Sequence, residues 1–241
     1  MGIEDTLRKR LTTEYCLRLN VPMKKTTSIL FLGKQADLHC LKALNFLQSH
    51  FSNVDAYLGK WGDPLPDLNT WHGDYIISYL SKWIVPHELI KKSRIAAINF
   101  HPASPDYPGI GCNNFALYDN APHYGATCHH MSKTVDTGDI IATKKFPLLP
   151  TDTVETLLSR TYDFQLVLFY EMMTYLLDNQ ALPRSNLKWR RKPFTRKEFN
   201  QLTIIDLNMS TDEIHKRIRA THYREFKPFI EIGEHKFALV D

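Results

Sequence analysis

The sequence predicts an α/β fold, with a mostly parallel sheet that has helices on both faces and a small C-terminal extension that ends in a β-hairpin. Two observations lead to this prediction. Short apolar runs alternate with segments of helical periodicity through most of the chain. Most of these runs are apolar throughout, as is typical of parallel strands that are buried on both faces.

The first four strands are predicted at the runs TSILFLG, VDAYLG, GDYIISYL and RIAAINF. Between the first two, ADLHCLKALNFLQSH has a leucine at every third residue from Leu38 to Leu47. That spacing predicts a helix with a broad apolar face. Before the fourth strand, PHELIKKS starts a further helix with Pro86 near its front. This order of strands and helices makes the predicted sheet Rossmann-like.

The second half of the chain continues with a helix around Asn113 to Asp119. Two strands follow, YGATCHHMS and DIIATKKFPL, which KTVDTG joins into a hairpin. TDTVETL supplies the cap and first turn of a long helix from Asp152 to Leu177. Beyond a basic and aromatic run, STDEIHKRIRAT predicts a short helix, and PFIEIGEHKFALV predicts a hairpin that turns at Gly233-Glu234. The chain is thus divided into an N-terminal arm (residues 1–22), a main domain (residues 23–184) and a small C-terminal region (residues 185–241).

Composition bounds the function. With 241 residues, 43% apolar residues and 23% charged residues, the chain has enough apolar sequence for a sizeable core. The net charge of +4 suits anionic small substrates but is too low to indicate nucleic-acid binding by charge alone. No apolar run has the roughly 20 residues of a membrane span. The start MGIEDT fits the myristoylation pattern, although three fixed positions often match by chance.

The four cysteines include no C-x-x-C pair, which excludes a zinc ribbon or a thioredoxin-type motif and favours a reducing, cytoplasmic setting with free thiols. His129 and His130 are adjacent on a predicted strand and point to opposite faces, so they are a poor metal pair. Gly33 ends the first strand, but the two further glycines of a dinucleotide fingerprint are missing. We therefore expect no metal and no NAD or FAD.

The clearest candidates for chemistry are Asn99 and His101, in the stretch INFHPASPDYPGIG. Residues two apart on a strand point to the same side, and open α/β sheets bind ligands at the carboxyl ends of their strands. An amide can donate to a developing oxyanion, and an imidazole can take or give a proton. The alternative is a pair of polar strand-end residues bonded to the loop backbone. For a companion acid, Asp136 and Asp139 in VDTGD are equally good by residue type, and an ordinary turn also explains them.

At NFHP, YPGIG and VDTGDII together, the chain resembles the formyltransferase family that uses N10-formyltetrahydrofolate. That family has an Asn-x-His pair at a strand end and, some 35 residues later, an Asp in a D-x-G loop. The resemblance covers Thr26 to Pro147 and implies Asn99, His101 and Asp136 as the catalytic trio, with Asp136 rather than Asp139 as the acid. It also makes residues 23–184 the catalytic domain.

More narrowly, FHPASPDYPGIGCNNFALYDN, YGATCHHMSKTVDTGDIIATKKFPL and KPFTRKEFN resemble the branch that N-formylates amino sugars on nucleotide carriers, typically dTDP-4-amino-4,6-dideoxy hexoses. The implied pathway makes O-antigen or another surface polysaccharide. The family's enzymes for methionyl-tRNA and glycinamide ribonucleotide share the trio but not this loop. The resemblance also implies a homodimer that pairs through the C-terminal hairpin.

The resemblance implies that the folate lies along KWIVP and SKTVD, where relatives hold the pterin largely through backbone. The folate contacts expected here are Trp83, Ile84, Val85, Pro86, Ser132, Lys133, Thr134, Val135 and Asp136. An aromatic platform for the base of the nucleotide is expected at Trp61, Tyr107 or Tyr223, and plain packing is the alternative for each. Two other functions compete with formyl transfer: a formyltetrahydrofolate hydrolase with water as acceptor, and a non-enzymatic folate or nucleotide-sugar binding protein.

Overall fold

The computed structural model describes residues 24–224 and 226–240. The predicted N-terminal arm, with its myristoylation pattern, lies outside the described residues. The main element is a six-stranded sheet in the order β2-β1-β3-β4-β5-β6. Its strands are β1 (Lys25–Lys34), β2 (Phe51–Gly59), β3 (Gly73–Tyr79), β4 (Ser93–His101), β5 (His123–His130) and β6 (Ile140–Pro147).

The first four strands are parallel, and β5 is antiparallel to both β4 and β6. The predicted mostly parallel sheet with a β5–β6 hairpin at one edge is therefore confirmed. The helices are α1 (Leu38–His50), α2 (His87–Ile90), α3 (Cys112–Tyr118), α4 (Val154–Leu177), α5 (Arg196–Leu202) and α6 (Thr211–Thr221).

The two faces of the sheet bury different apolar sets. Helices α1 and α4 cover one face, where Phe31, Ile77 and Phe169 are fully buried. Helix α2 and the segment before β3 cover the other face, where Leu32 and Ile76 are fully buried. The parallel strands are thus apolar on both sides, which is why their sequences form continuous apolar runs rather than alternating ones.

The C-terminal region forms a second, three-stranded sheet in the order β7-β8-β9. Its strands are β7 (Ile204–Ile205), β8 (Phe229–Ile232) and β9 (His235–Ala238), and the hairpin of β8 and β9 was predicted. Helix α5 and strand β7 were not predicted. A sequence signal for α5 exists, because Thr195 and Glu198 form a capping box in which each side chain accepts the other's backbone N–H.

The C-terminal region shares a core with the loop that follows β4. Tyr107 and Phe115 pack with Phe194 and Phe199, and the rings of Phe115 and Phe194 stack with their centroids 3.7 Å apart. Helix α6 packs on α3, and the Asn114 amide donates to the Ala220 carbonyl across that contact. Within the described residues, no helix is long and apolar enough to cross a membrane.

Candidate active site

The candidate site lies where β4 ends, at the carboxyl edge of the parallel strands. Asn99 is half-buried and His101 is buried, and both belong to the last residues of β4. Asp136 lies in the loop between β5 and β6, and His101 Nδ1 is 3.4 Å from Asp136 Oδ2. The hairpin thus brings a residue distant in sequence against the strand end. The structure brings together the three side chains that the sequence singled out.

His129 is a fourth member of this cluster. Its Nε2 lies 3.3 Å from Asp136 Oδ1 and 3.1 Å from Asn99 Nδ2, and its Nδ1 donates to the His130 carbonyl at 2.8 Å. The carboxylate of Asp136 therefore lies between two imidazole rings. From the sequence, His129 was weighed only as one of two adjacent histidines that could bind a metal. The register of the β4–β5 pairing, in which Asn99 lies opposite His129, is the signal that would have identified it.

Backbone geometry fixes the Asp136 carboxylate. Asp136 has a φ of 49°, in the left-handed region that Asp and Asn tolerate better than most side chains. The Gly109 N–H donates to Asp136 Oδ2 at 2.9 Å. Two residues later, a Cβ on Gly138 would lie 1.8 Å from the His130 carbonyl oxygen, so the D-x-G spacing has a steric reason at its glycine.

Asp136 is an ionised acid in a buried position. Burial by itself would raise the pKa of its carboxyl, but the His101 and His129 rings and the Gly109 N–H outweigh burial and lower that pKa from 3.8 to about 2. The charge is therefore held by hydrogen bonds and by neighbouring rings rather than by water. A fixed negative charge beside an imidazole stabilises the cation that forms when the ring takes a proton.

The C-terminal region also reaches this site. The Trp189 indole N–H donates to the Gly138 carbonyl at 2.8 Å, and its ring meets the edges of His129 and His101 with centroids 5.0 and 5.9 Å apart. Phe194 N donates to Pro108 O at 2.8 Å. The basic and aromatic run from Lys188 to Phe199 thus lies against the loop after β4.

The two segments predicted to contact folate have exposed apolar side chains. Ile84 is 76% exposed and Val135 is 47% exposed. Trp83 is anchored, since its indole N–H donates to Asp63 O and its ring occupies the space beside Gly59. Among the described residues, no hydrogen bond engages the main chain of Ile84, Val85 or Val135.

The three aromatic candidates for the base have different environments. Trp61 is 74% exposed to solvent. Tyr107 is buried, packs parallel to Phe194 and donates through its hydroxyl to Asp119 at 3.2 Å. Tyr223 is half-buried below the guanidinium of Arg224. No group of three or more His, Cys, Asp or Glu side chains within residues 24–224 and 226–240 is placed to hold a metal ion.

Comparison with known proteins relates this geometry to a family. The model of the formyl transferase family matches residues 66–173. The chain is 26% identical over 160 residues to a methionyl-tRNA formyltransferase from Leptospira interrogans, a match that covers 66% of this chain and 50% of that enzyme. The chain thus spans about half the length of this curated relative.

Two solved structures share the fold. A 4-N formyltransferase from Francisella tularensis superposes with a TM-score of 0.72 at 18% identity, over 88% of this chain and 96% of that one. An N-formyltransferase from Helicobacter canadensis, in complex with folinic acid and dTDP-3-aminofucose, superposes with a TM-score of 0.64 at 18% identity, with the same coverage.

The similarity to a second curated relative is high enough to assign the chain to a family. The chain is 39% identical over 170 residues to a phosphoribosylglycinamide formyltransferase from Dictyostelium discoideum, a match that covers 60% of this chain and 76% of that enzyme. Together with the match to the family model and the shared fold, this similarity shows that the chain belongs to the formyl transferase family.

Proposed function

We propose that this protein transfers a formyl group from N10-formyltetrahydrofolate to the amine of a nucleotide-linked amino sugar. The observation that carries the proposal is the cluster of half-buried Asn99 with buried His101, His129 and Asp136 at the carboxyl edge of β4. Formyl transfer needs an acceptor for the proton of the amine and a donor for the oxyanion that forms on the formyl group. The cluster contains both.

His101 is the proposed proton acceptor. Nδ1 faces Asp136 Oδ2 at 3.4 Å, so the carboxylate favours the neutral ring that carries its hydrogen on Nδ1. Nε2 is then left to take the proton of the amine. Tyr107 O, 3.2 Å from Nε2, accepts the N–H that results, so both N–H groups of the cationic ring have acceptors. Asp136 orients the ring and supplies the opposite charge.

Asn99 is the proposed oxyanion donor. Its amide nitrogen carries two hydrogens, and His129 Nε2 lies 3.1 Å from that nitrogen. One N–H directed to His129 leaves the other for the formyl oxygen. One donor of this kind contributes roughly 2.7–4 kcal/mol to stabilising the transition state. His129 would thereby fix the direction of the second N–H.

The sugar acceptor is the finer part of the proposal. The Helicobacter canadensis enzyme, whose complex contains a folate and a dTDP-amino sugar, shares the fold over nearly its whole length. We propose a dTDP-4-amino-4,6-dideoxy hexose or a close relative as acceptor, Trp61 as the platform for its base, and surface polysaccharide synthesis in the cytoplasm as the setting. The folate would lie between Trp83–Pro86 and Ser132–Asp136, held largely by the main chain.

The C-terminal sheet supports a proposed homodimer. Ile232 is 54% exposed, Phe237 is 57% exposed and Val240 is 86% exposed. Among residues 24–224 and 226–240, strand β9 pairs only with β8 and is an edge strand, and an apolar edge strand can pair with another chain. Sedimentation equilibrium of the purified protein tests this part separately from activity, and a monomer at tens of micromolar would contradict it.

The function is tested by incubating the protein with N10-formyltetrahydrofolate and a panel of dTDP- and UDP-linked amino sugars. We expect tetrahydrofolate to form only when an amino sugar is present, together with a formylated sugar in the mass spectrum. Tetrahydrofolate formation without any acceptor would instead identify a hydrolase. If tetrahydrofolate does not form while folate still binds, the protein is a binding protein and the proposal is wrong.

A further inference from the structure

The backbone at the end of the predicted catalytic strand, and just beyond it, is held by side chains in addition to the strand pairing of β4. Three carbonyl oxygens, those of Phe100, Pro102 and Ala103, each accept a hydrogen bond from a different side chain. Gln165 Nε2 donates to Phe100 O at 2.6 Å, Tyr124 Oη donates to Pro102 O at 3.0 Å, and Thr127 Oγ1 donates to Ala103 O at 2.6 Å. We call Gln165, Tyr124 and Thr127 the carbonyl clamp.

All three donors are fully buried. Gln165 extends from α4 into the main apolar core, beside Leu166 and Phe169. Its second polar atom, Oε1, has no hydrogen-bond partner among the described residues. A buried amide with an unsatisfied oxygen costs free energy, and a leucine or methionine would pack α4 against the sheet without that cost. We therefore attribute the presence of a glutamine at position 165 to the hydrogen bond that it donates to Phe100 O.

The position of that hydrogen bond is informative. The Phe100 peptide lies between Asn99 and His101, so the direction of its carbonyl sets the direction of both side chains. Beyond His101 the chain leaves the sheet, and the next two clamped carbonyls hold the turn into the loop that carries Gly109. A misplacement of about 1 Å at a reacting group can cost about a hundredfold in rate.

We propose that the carbonyl clamp, with Gln165 as its central member, positions Asn99 and His101 for formyl transfer. This inference rests on the proposed function. Gln165, Tyr124 and Thr127 are positioning residues, since each acts through a backbone carbonyl rather than on the substrates.

The matched variants are Gln165→Met, which keeps the volume and removes the donor, and Thr161→Val. Thr161 is fully buried on the same helix, but within the part of the chain that the structure describes its hydroxyl bonds only to Leu157 O, one turn back along α4. We expect Gln165→Met to lower kcat between ten- and a hundredfold, with KM for both substrates within about twofold of wild type. Thr161→Val should leave kcat unchanged.

A second pair tests the same idea on β5. Thr127→Val removes the hydroxyl that holds Ala103 O, and Thr127→Ser keeps it. Thr127→Val should lower kcat about tenfold, and Thr127→Ser should restore at least half of the wild-type value. A purely structural role predicts instead that kcat per folded molecule stays constant in all four variants while only Tm changes. That result would overturn the proposal.

A measurement that needs no turnover separates this inference from the proposed function. The ring signals of His101 in 1H–13C spectra, assigned by their loss in His101→Asn, report its orientation directly. We expect them to shift or split in Gln165→Met and to stay in place in Thr161→Val. Unchanged His101 signals in Gln165→Met would overturn the clamp even if the wild-type protein transferred formyl groups. Shifted signals in a protein that formylates no acceptor would support the clamp and contradict the function.

Discussion

The carboxyl edge of β4 buries ionisable side chains, whereas the C-terminal sheet exposes large apolar ones. At the carboxyl edge of β4, His101, His129 and Asp136 are at least 94% buried. In the C-terminal sheet and the residues that follow β9, Ile232, Phe237 and Val240 are more than half exposed. Both arrangements cost free energy in an isolated chain, because buried ionisable groups lose hydration and exposed apolar groups keep theirs. This difference is the basis for proposing chemistry at the first end and association at the second.

The largest effect is expected from the charge at the buried end. Asp136→Asn keeps the shape of the side chain but removes the negative charge between the two imidazole rings. We expect kcat to fall by at least about a thousandfold, within the range for loss of acid–base function. Asp139→Asn is the matched control, since its carboxylate is 87% exposed beside Lys188 and should be dispensable. If kcat fell equally in both variants, the buried Asp136 would be no more important for activity than the exposed Asp139, and the expectation would be wrong.

The next effect concerns the oxyanion. Asn99→Ala removes the proposed donor and leaves the His101–Asp136 pair in place. We expect kcat to fall by about a hundred- to a thousandfold while KM for folate stays within about threefold. Steady-state kinetics with saturating acceptor measures both quantities. A variant with raised KM and unchanged kcat would assign Asn99 to binding rather than to the transition state.

A smaller effect is expected in the pH dependence of stability. The pKa of Asp136 is lowered from 3.8 to about 2, so its ionised form stabilises the fold above about pH 4, and this contribution is lost as the pH falls toward 2. The full contribution is about 2 kcal/mol, and roughly half of it is lost by pH 3. Urea unfolding of wild type and Asp136→Asn at pH 6 and pH 3 should show their difference in free energy shrinking by about 1 kcal/mol. A constant difference would contradict the lowered pKa.

The smallest effect on the fold is expected at the exposed end. Phe237→Glu places a charge on the β9 edge and should convert the proposed dimer to a monomer in sedimentation. The free energy of unfolding of the monomer should change by no more than about 0.5 kcal/mol, because the side chain is 57% exposed. A dimer that survives Phe237→Glu would move the interface away from the hairpin.

Much of the fold could be predicted because its signals are local. Apolar runs, helical spacing and turn residues predicted the four parallel strands, the β5–β6 hairpin and α4. Helix α5 was missed although its Thr195–Glu198 capping box is visible in the sequence.

The candidate site could be predicted only in part. Asn99 and His101 are two residues apart on one strand, so period-two alternation places them together. His129 and Trp189 reach the same place through strand register and through the path of the C-terminal segment, and neither follows from local spacing. Gln165 was missed for the same reason, since a single glutamine in a helix does not indicate which carbonyl it meets.

The contact between Trp189 and the Gly138 carbonyl has a consequence for how the protein is made. A ribosome releases β4 and the β5–β6 hairpin some forty residues before it reaches residues 189–194, and it releases α4 shortly before them. The nascent chain can therefore form most of its large sheet while the strand end that carries His101 still lacks its last neighbour. Completion of the site is deferred until translation has passed Phe194, so a chain that stalls within α4 carries the proposed catalytic side chains without the segment that packs over them.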